Sequence, residues 1–73
     1  MPKLYSAREV ILRLKRLGFT LVSQKGSHIK MRGLREGKLQ TAIIPNHKEI
    51  ASGTLKSILN QANVTKKELD DSN

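Results

Sequence analysis

Two histidines, and the cations beside the first of them, are the residues in this chain best suited to chemistry. Lys25-Gly26-Ser27-His28 is followed by Lys30, and a second histidine stands in Pro45-Asn46-His47-Lys48. Histidine has an ordinary pKa of about 6.5, so it can take or give a proton near neutrality. A Gly-Ser turn lets a phosphate approach the backbone closely, and lysines on the same face can hold its charge. His28, Gly26, Ser27, Lys25 and Lys30 could therefore make up a proton-transfer site for a phosphate ester. The alternative is a solvated histidine on a basic surface, and the residues alone leave both readings open. His47 could serve as a second proton-transfer group or simply make loop hydrogen bonds. Ser52-Gly53-Thr54, with Lys56 one turn on, offers helix-start amides that could hold a phosphate. Its alternative is that Ser52 only caps the helix.

Other patterns do not support a different chemistry. Gly33-Leu34-Arg35-Glu36-Gly37-Lys38-Leu39 resembles a phosphate loop, but three residues separate its glycines where four are needed. Leu39 stands where Ser or Thr would ligate magnesium. No carboxylate pair or His/Cys cluster has metal-ligand spacing, so no metal or cofactor is expected. One Phe and one Tyr make no aromatic platform for stacking single-stranded bases. Asn63-Val64-Thr65 is a glycosylation sequon that a cytosolic protein cannot use.

Those groups must be positioned by a small scaffold. The chain has 73 residues, 37% of them apolar, and no cysteine. That length fits one domain over residues 1–73 with a thin core about residues 6–64, and it excludes a two-domain enzyme. The apolar runs are short and interrupted by Lys and Arg, and the first fifteen residues lack a signal-peptide stretch, so a cytoplasmic protein with no membrane span is expected. The net charge is +8, and three of the six acids (Glu68, Asp70, Asp71) lie near the C-terminus. Residues 1–67 thus hold 14 bases against three acids, a net of +11, which points to an anionic partner: nucleic acid, an acidic protein or a membrane surface.

The hydrophobic spacing gives the elements. Ser6-Ala7-Arg8-Glu9 is a capping box. Val10, Ile11, Leu14 and Leu17 follow as one helical stripe that Gly18 stops, with Arg13 on the solvated side. Residues 19–25 and 28–32 read as strands joined by a type II′ turn at Gly26-Ser27. That turn pairs Lys25 with His28, Ser23 with Lys30 and Val22 with Met31, and it sets Leu21 opposite Arg32 on the outer face, a mismatch that a bulge would relieve. Residues 33–37 form the next turn, and residues 38–44 a third strand ended by Pro45. Leu55, Ile58, Leu59 and Ala62 give a second helix. Thr65-Lys66-Lys67-Glu68 is another capping box, which predicts one short helical turn in an acidic tail, 65–73, that frays. The fold class is α+β, in α-β-β-β-α order. A three-stranded antiparallel sheet carries two helices on one face and leaves its other face open and basic.

Lys25-Gly26-Ser27-His28, the stretch Ile44-Pro45-Asn46-His47-Lys48-Glu49-Ile50 and the block from Gly53-Thr54-Leu55-Lys56-Ser57-Ile58-Leu59 to Asn60-Gln61-Ala62, after a helix ending Leu17-Gly18-Phe19, together resemble the HicA (YcfA-like) toxins of bacterial type II toxin–antitoxin modules. The resemblance covers about residues 6–69, and Asn63 departs from it where the family commonly has Gly. It implies a double-stranded-RNA-binding-domain-like fold and an mRNA endonuclease inhibited by a HicB-type antitoxin, with His28 as the catalytic residue. Such an enzyme would cleave RNA without a metal. It would need removal of the 2′-hydroxyl proton, cations at the phosphorane-like transition state and protonation of the leaving 5′-oxygen. Two other functions stay open on the sequence: a non-catalytic double-stranded RNA-binding module using the same lysines, and an interaction protein whose basic face meets an acidic partner.

Overall fold

Ser6 begins the first helix as its spacing requires. Its hydroxyl accepts from the Glu9 amide at 3.1 Å and a Glu9 carboxylate oxygen accepts from the Ser6 amide at 3.0 Å, the reciprocal capping box. In this computed structural model, which describes residues 4–72, that helix is α1, Ala7–Arg16. Val10 and Leu14 on its apolar stripe are fully buried. Gly18 takes a φ of +101°, a conformation glycine adopts without strain, and turns the chain so that Phe19 enters the core.

Three strands follow as a meander: β1 (Thr20–Lys25), β2 (His28–Arg35) and β3 (Lys38–Pro45), antiparallel in the order β1-β2-β3. Gly26 has a φ of +58°, as the first position of a II′ turn demands, and Lys25 pairs with His28 and Ser23 with Lys30 as expected. The expected pairing of Val22 with Met31 does not hold. The register shifts between Leu21 and Ser23, so Leu21 faces Met31, Thr20 faces Arg32 and Val22 is the extra residue of a bulge. The mismatch of Leu21 against Arg32 is resolved in this way. Even so, Leu21 stays about half exposed, because all of β1 is an exposed edge strand.

The second turn is tighter than residues 33–37. β2 runs on to Arg35, which pairs with Lys38, and only Glu36 and Gly37 lie between, both at positive φ as in a type I′ turn. Gly33 stays in the strand because Phe19 lies on it: a β-carbon there would sit 2.8 Å from Phe19 Cγ. Pro45 is the last residue of β3 and pairs with His28. The open edge of β3 is partly covered, since the Ile43 amide donates to Gln61 Oε1 at 2.9 Å.

The second helix, α2 (Ser52–Ala62), buries Leu55, Ile58, Leu59 and Ala62 and lies against β3. Its N-cap is Ala51 and carries no side-chain bond, so Ser52 does not cap it. Asn63 ends α2 at φ 57°, ψ 44°, a left-handed position that suits Gly first and Asn next.

The acidic tail does not fray over the described residues. Lys66–Asp71 forms a third helix, α3, with Thr65 and Glu68 closing a capping box and Leu69 fully buried. α3 docks on α1: Tyr5 donates to an Asp70 carboxylate oxygen, and Arg13 donates to the carbonyls of Leu69 and Asp70 at 3.0 and 2.9 Å. Arg13 is therefore an anchor and not a solvated residue, and it also lies 5.1 Å from the Tyr5 ring centroid. Arg35 reaches Glu68 and the Asn63 carbonyl from the far end of the sheet. The α+β order is present with this one added helix, and residues 1–3 and 73 lie outside the described residues.

Alternation along the strands sends Ile29, Met31, Ala42 and Ile44 into the core beneath the helices, each contributing about 1.5–3 kcal/mol if aliphatic and large. Among the described residues no helix lies over the opposite face of the sheet. No helix is long and apolar enough to cross a membrane among the described residues.

Candidate functional site

His28 is the first residue of β2. It lies on the uncovered face, exposed, with Lys25 beside it on β1 and Pro45 on β3. Lys30 is two residues on, half-buried between Ser23 and Ile43 on the same face. Gly26 and Ser27 form the turn that carries the chain from Lys25 to His28. These five sequence-predicted residues are together.

His47 belongs to the same end of the sheet. The Asn46 amide donates to the Ser27 carbonyl at 2.7 Å, which ties the loop after β3 to the turn before β2. The His47 amide donates to the Pro45 carbonyl at 2.9 Å, its carbonyl accepts from Ala7 at 3.0 Å, and the Ile50 amide donates to Tyr5 at 2.7 Å. The loop backbone is thus held by α1's first turn and by the Gly-Ser turn, while the His47 side chain is exposed. Those bonds fix where the second histidine enters.

Thr54 and Lys56 are exposed on the first two turns of α2. No hydrogen bond or ion pair links either to the His28 cluster among the described residues. Lys56 instead lines a groove of about 520 Å³ with Leu55, Leu59, Val64 and Lys66, between α2 and the start of α3. None of the His28 cluster lines that groove. Lys25, Gly26, Ser27 and His28 are all exposed, an arrangement that suits a polymer better than a small molecule enclosed in a pocket.

Two further residues share that surface: Arg32, which the expected register already sets on the outer face, and Thr20, which no spacing singles out. Arg32 continues the alternation of His28 and Lys30, and its Nε donates to Thr41 Oγ1 across the sheet at 3.2 Å. Thr20 flanks it from β1, its hydroxyl donating to the Arg32 carbonyl at 3.4 Å. The signal in the sequence was the polar residue at every second position of β2, but the partner Thr41 depends on the β2–β3 register. Leu34 and Leu39 pair directly at the far end of the same face and are 67% and 61% exposed.

Charge is distributed unequally over the fold. Glu68 and Asp70 in α3 sit below their ordinary pKa. For Glu68 the Thr65 amide is the main cause, followed by Arg35; for Asp70 it is the Tyr5 hydroxyl, followed by Lys66. Both acids are thus spent on holding α3, and neither lies on the open face. The residues of that face on β1, β2 and β3 include Lys25, His28, Lys30 and Arg32 and no acid. Among the described residues no three of His, Cys, Asp and Glu converge as ligands for a metal ion.

A family model described as the HicA toxin of bacterial toxin–antitoxin matches residues 7–64. That span runs from the start of α1 through the end of α2 and leaves out Tyr5 and α3. No curated protein matches the chain.

Proposed function

The chain belongs to the HicA toxin family of bacterial toxin–antitoxin modules, and from that premise we propose that it is a metal-independent endoribonuclease acting on mRNA and held inactive by a HicB-type antitoxin. The observation that carries the reading is the position of His28. It stands exposed beside Lys25 and one alternation from Lys30, at a Gly-Ser turn whose backbone is bonded to the His47 loop.

RNA brings its own nucleophile, so little machinery is needed. His28 takes the proton of a ribose 2′-hydroxyl, and that oxygen attacks the adjacent phosphorus. The phosphorus–5′-oxygen bond breaks, leaving a 2′,3′-cyclic phosphate on one fragment. The departing 5′-oxygen takes a proton from His47 or from water. Lys25 and Lys30 offset the charge that builds on the phosphoryl oxygens, and Gly26 allows the phosphate close to the backbone. Thr54 and Lys56 are second phosphate contacts for a longer RNA, at the uncapped amides that begin α2.

Pure protein incubated in EDTA with single-stranded message and with duplex RNA tests this. Fragments ending in cyclic phosphate from wild type, formed about a hundredfold more slowly or slower still by His28→Ala, support the nuclease. Tight duplex binding with no fragments would instead identify a non-catalytic RNA-binding module. A requirement for added divalent metal would overturn the metal-independent mechanism.

A further inference from the structure

The proposed nuclease leaves most of the open sheet face unassigned. Along β2 that face presents His28, Lys30, Arg32 and Leu34 in turn. Alternate residues of a strand lie about 6.6–6.8 Å apart. This is close to the separation of neighbouring phosphates along an extended nucleic-acid strand. The flanking rows are Lys25 and Pro45, Ser23 and Ile43, then Thr20 and Thr41, and no acid interrupts them.

Arg32 is built differently from a mobile surface cation. It is half-buried, and its Nε donates to Thr41 Oγ1, which tethers the guanidinium on that face. Its two terminal nitrogens have no protein acceptor among the described residues, and the ion pairs found there are Arg35–Glu68 and Lys66–Asp70. An arginine anchored through Nε presents a ready fork to a phosphate. Beyond it the cations stop. Among the described residues Leu34 and Leu39 are the two most exposed large apolar side chains, and they stand opposite each other there. In a chain with one Phe and one Tyr, this pair offers a base an exposed apolar contact on the same face as the cations.

We infer that an extended single strand of RNA lies along β2, with successive phosphates at His28, Lys30 and Arg32 and a base packed on Leu34 and Leu39. The assignment rests on the proposed nuclease only in placing the scissile phosphate at His28. It adds a footprint running in one direction from that bond, and a preference for single strand over duplex, because the coiled backbone of a duplex cannot keep successive phosphates along a straight strand. Arg32 and Leu34 are binding residues, and Thr41 is a positioning residue acting through Arg32.

The test measures binding separately from cleavage, using a fluorescent single-stranded 2′-O-methyl oligoribonucleotide, which lacks the nucleophile, and its duplex. For Arg32→Gln the Kd rises about tenfold or more. The slope of log Kd against log salt falls by about 0.7, the value for one phosphate of a single strand. Leu34→Ser raises Kd about fivefold or more with the slope unchanged, since an apolar base contact is lost. Thr41→Val weakens binding, and the loss disappears in the Arg32→Gln background. Melting temperatures show that each variant folds. Wild-type affinity and slope in Arg32→Gln, or tighter binding to duplex than to single strand, would overturn the footprint. Loss of binding to a copurified antitoxin alone, with RNA binding intact, would assign the face to protein and overturn it too. Cleavage of unmodified RNA by wild type, with Arg32→Gln as active as wild type, sinks the footprint alone. RNA bound as described but never cleaved sinks the nuclease alone.

Discussion

The Asn46 amide donates to the Ser27 carbonyl at 2.7 Å, so the two segments that carry His28 and His47 are one hydrogen-bonded unit although the histidines lie nineteen positions apart in sequence. Neither histidine side chain is buried, and each can be removed without opening the core. His28→Ala is expected to lower cleavage by about 10²–10⁴-fold, the usual worth of a general acid or base, with an unchanged melting temperature. His47→Ala should lower it less, because water can protonate the leaving oxygen. Wild-type rates from purified His28→Ala would end the assignment.

Gly33 leaves space for the Phe19 ring that any other residue would fill. A β-carbon on Gly33 would lie 2.8 and 2.9 Å from two Phe19 ring atoms and 3.0 Å from its Cα, and Phe19 is buried in the core at 1% exposure. Gly33→Ala should therefore destabilise by about 1–3 kcal/mol. For a domain of this size that is a fall in melting temperature of about 4–8 °C for each kcal/mol. Phe19→Leu combined with Gly33→Ala should lose less than the two single changes added. A Gly33→Ala protein as stable as wild type would show that the ring can move.

This contact also marks where sequence reading stops. The caps at Ser6 and Thr65, the α1 and α2 stripes and the Lys25–His28 pairing depend on residues within a few positions of one another, and all were legible. The bulge at Val22 was foreseen only as a need, because its place depends on how Leu21 meets Met31 beneath the helices. Gly33 read as a turn residue since glycine favours turns, and only the distant Phe19 makes it a strand residue. The docking of α3 rests on Tyr5 and Asp70, 65 residues apart. In the candidate site, the hairpin placed Lys25, His28 and Lys30 together, whereas the Arg32–Thr41 bond required a β3 register that no local pattern encodes.

Asn63 should respond to substitution in a defined order. Its φ of 57° is in the left-handed region, where an ordinary side chain costs about 1–2 kcal/mol. Asn63→Gly should leave stability equal or slightly raised, and Asn63→Ala should lower it by about 1 kcal/mol. Urea midpoints with an unchanged m-value would measure both. A more stable Ala variant would contradict the left-handed cap.

Tyr5 and Asp70 predict opposite pH limits on the docking of α3. Burial, then the hydrogen bond to Asp70, raises the Tyr5 phenol above its ordinary 10.0. Its folded pKa exceeds the unfolded one, so its contribution is complete below about pH 10 and is lost as pH rises through the folded value. Asp70 is lowered from 3.8, first by the Tyr5 hydroxyl and then by Lys66, and Glu68 from 4.5, first by the Thr65 amide and then by Arg35. Their contributions are present above the unfolded values and are lost as pH falls through the folded ones. The chain has one Tyr and no Trp, so phenolate absorbance reports this site alone. Asp70→Asn should move the phenol titration down toward 10.0 and should flatten the loss of urea midpoint on acidification below about pH 3.8. It should leave RNA cleavage unchanged, since α3 packs on α1 and not on the His28 face. A phenol that titrates identically in wild type and Asp70→Asn would mean that the terminal helix is not held by this pair in solution.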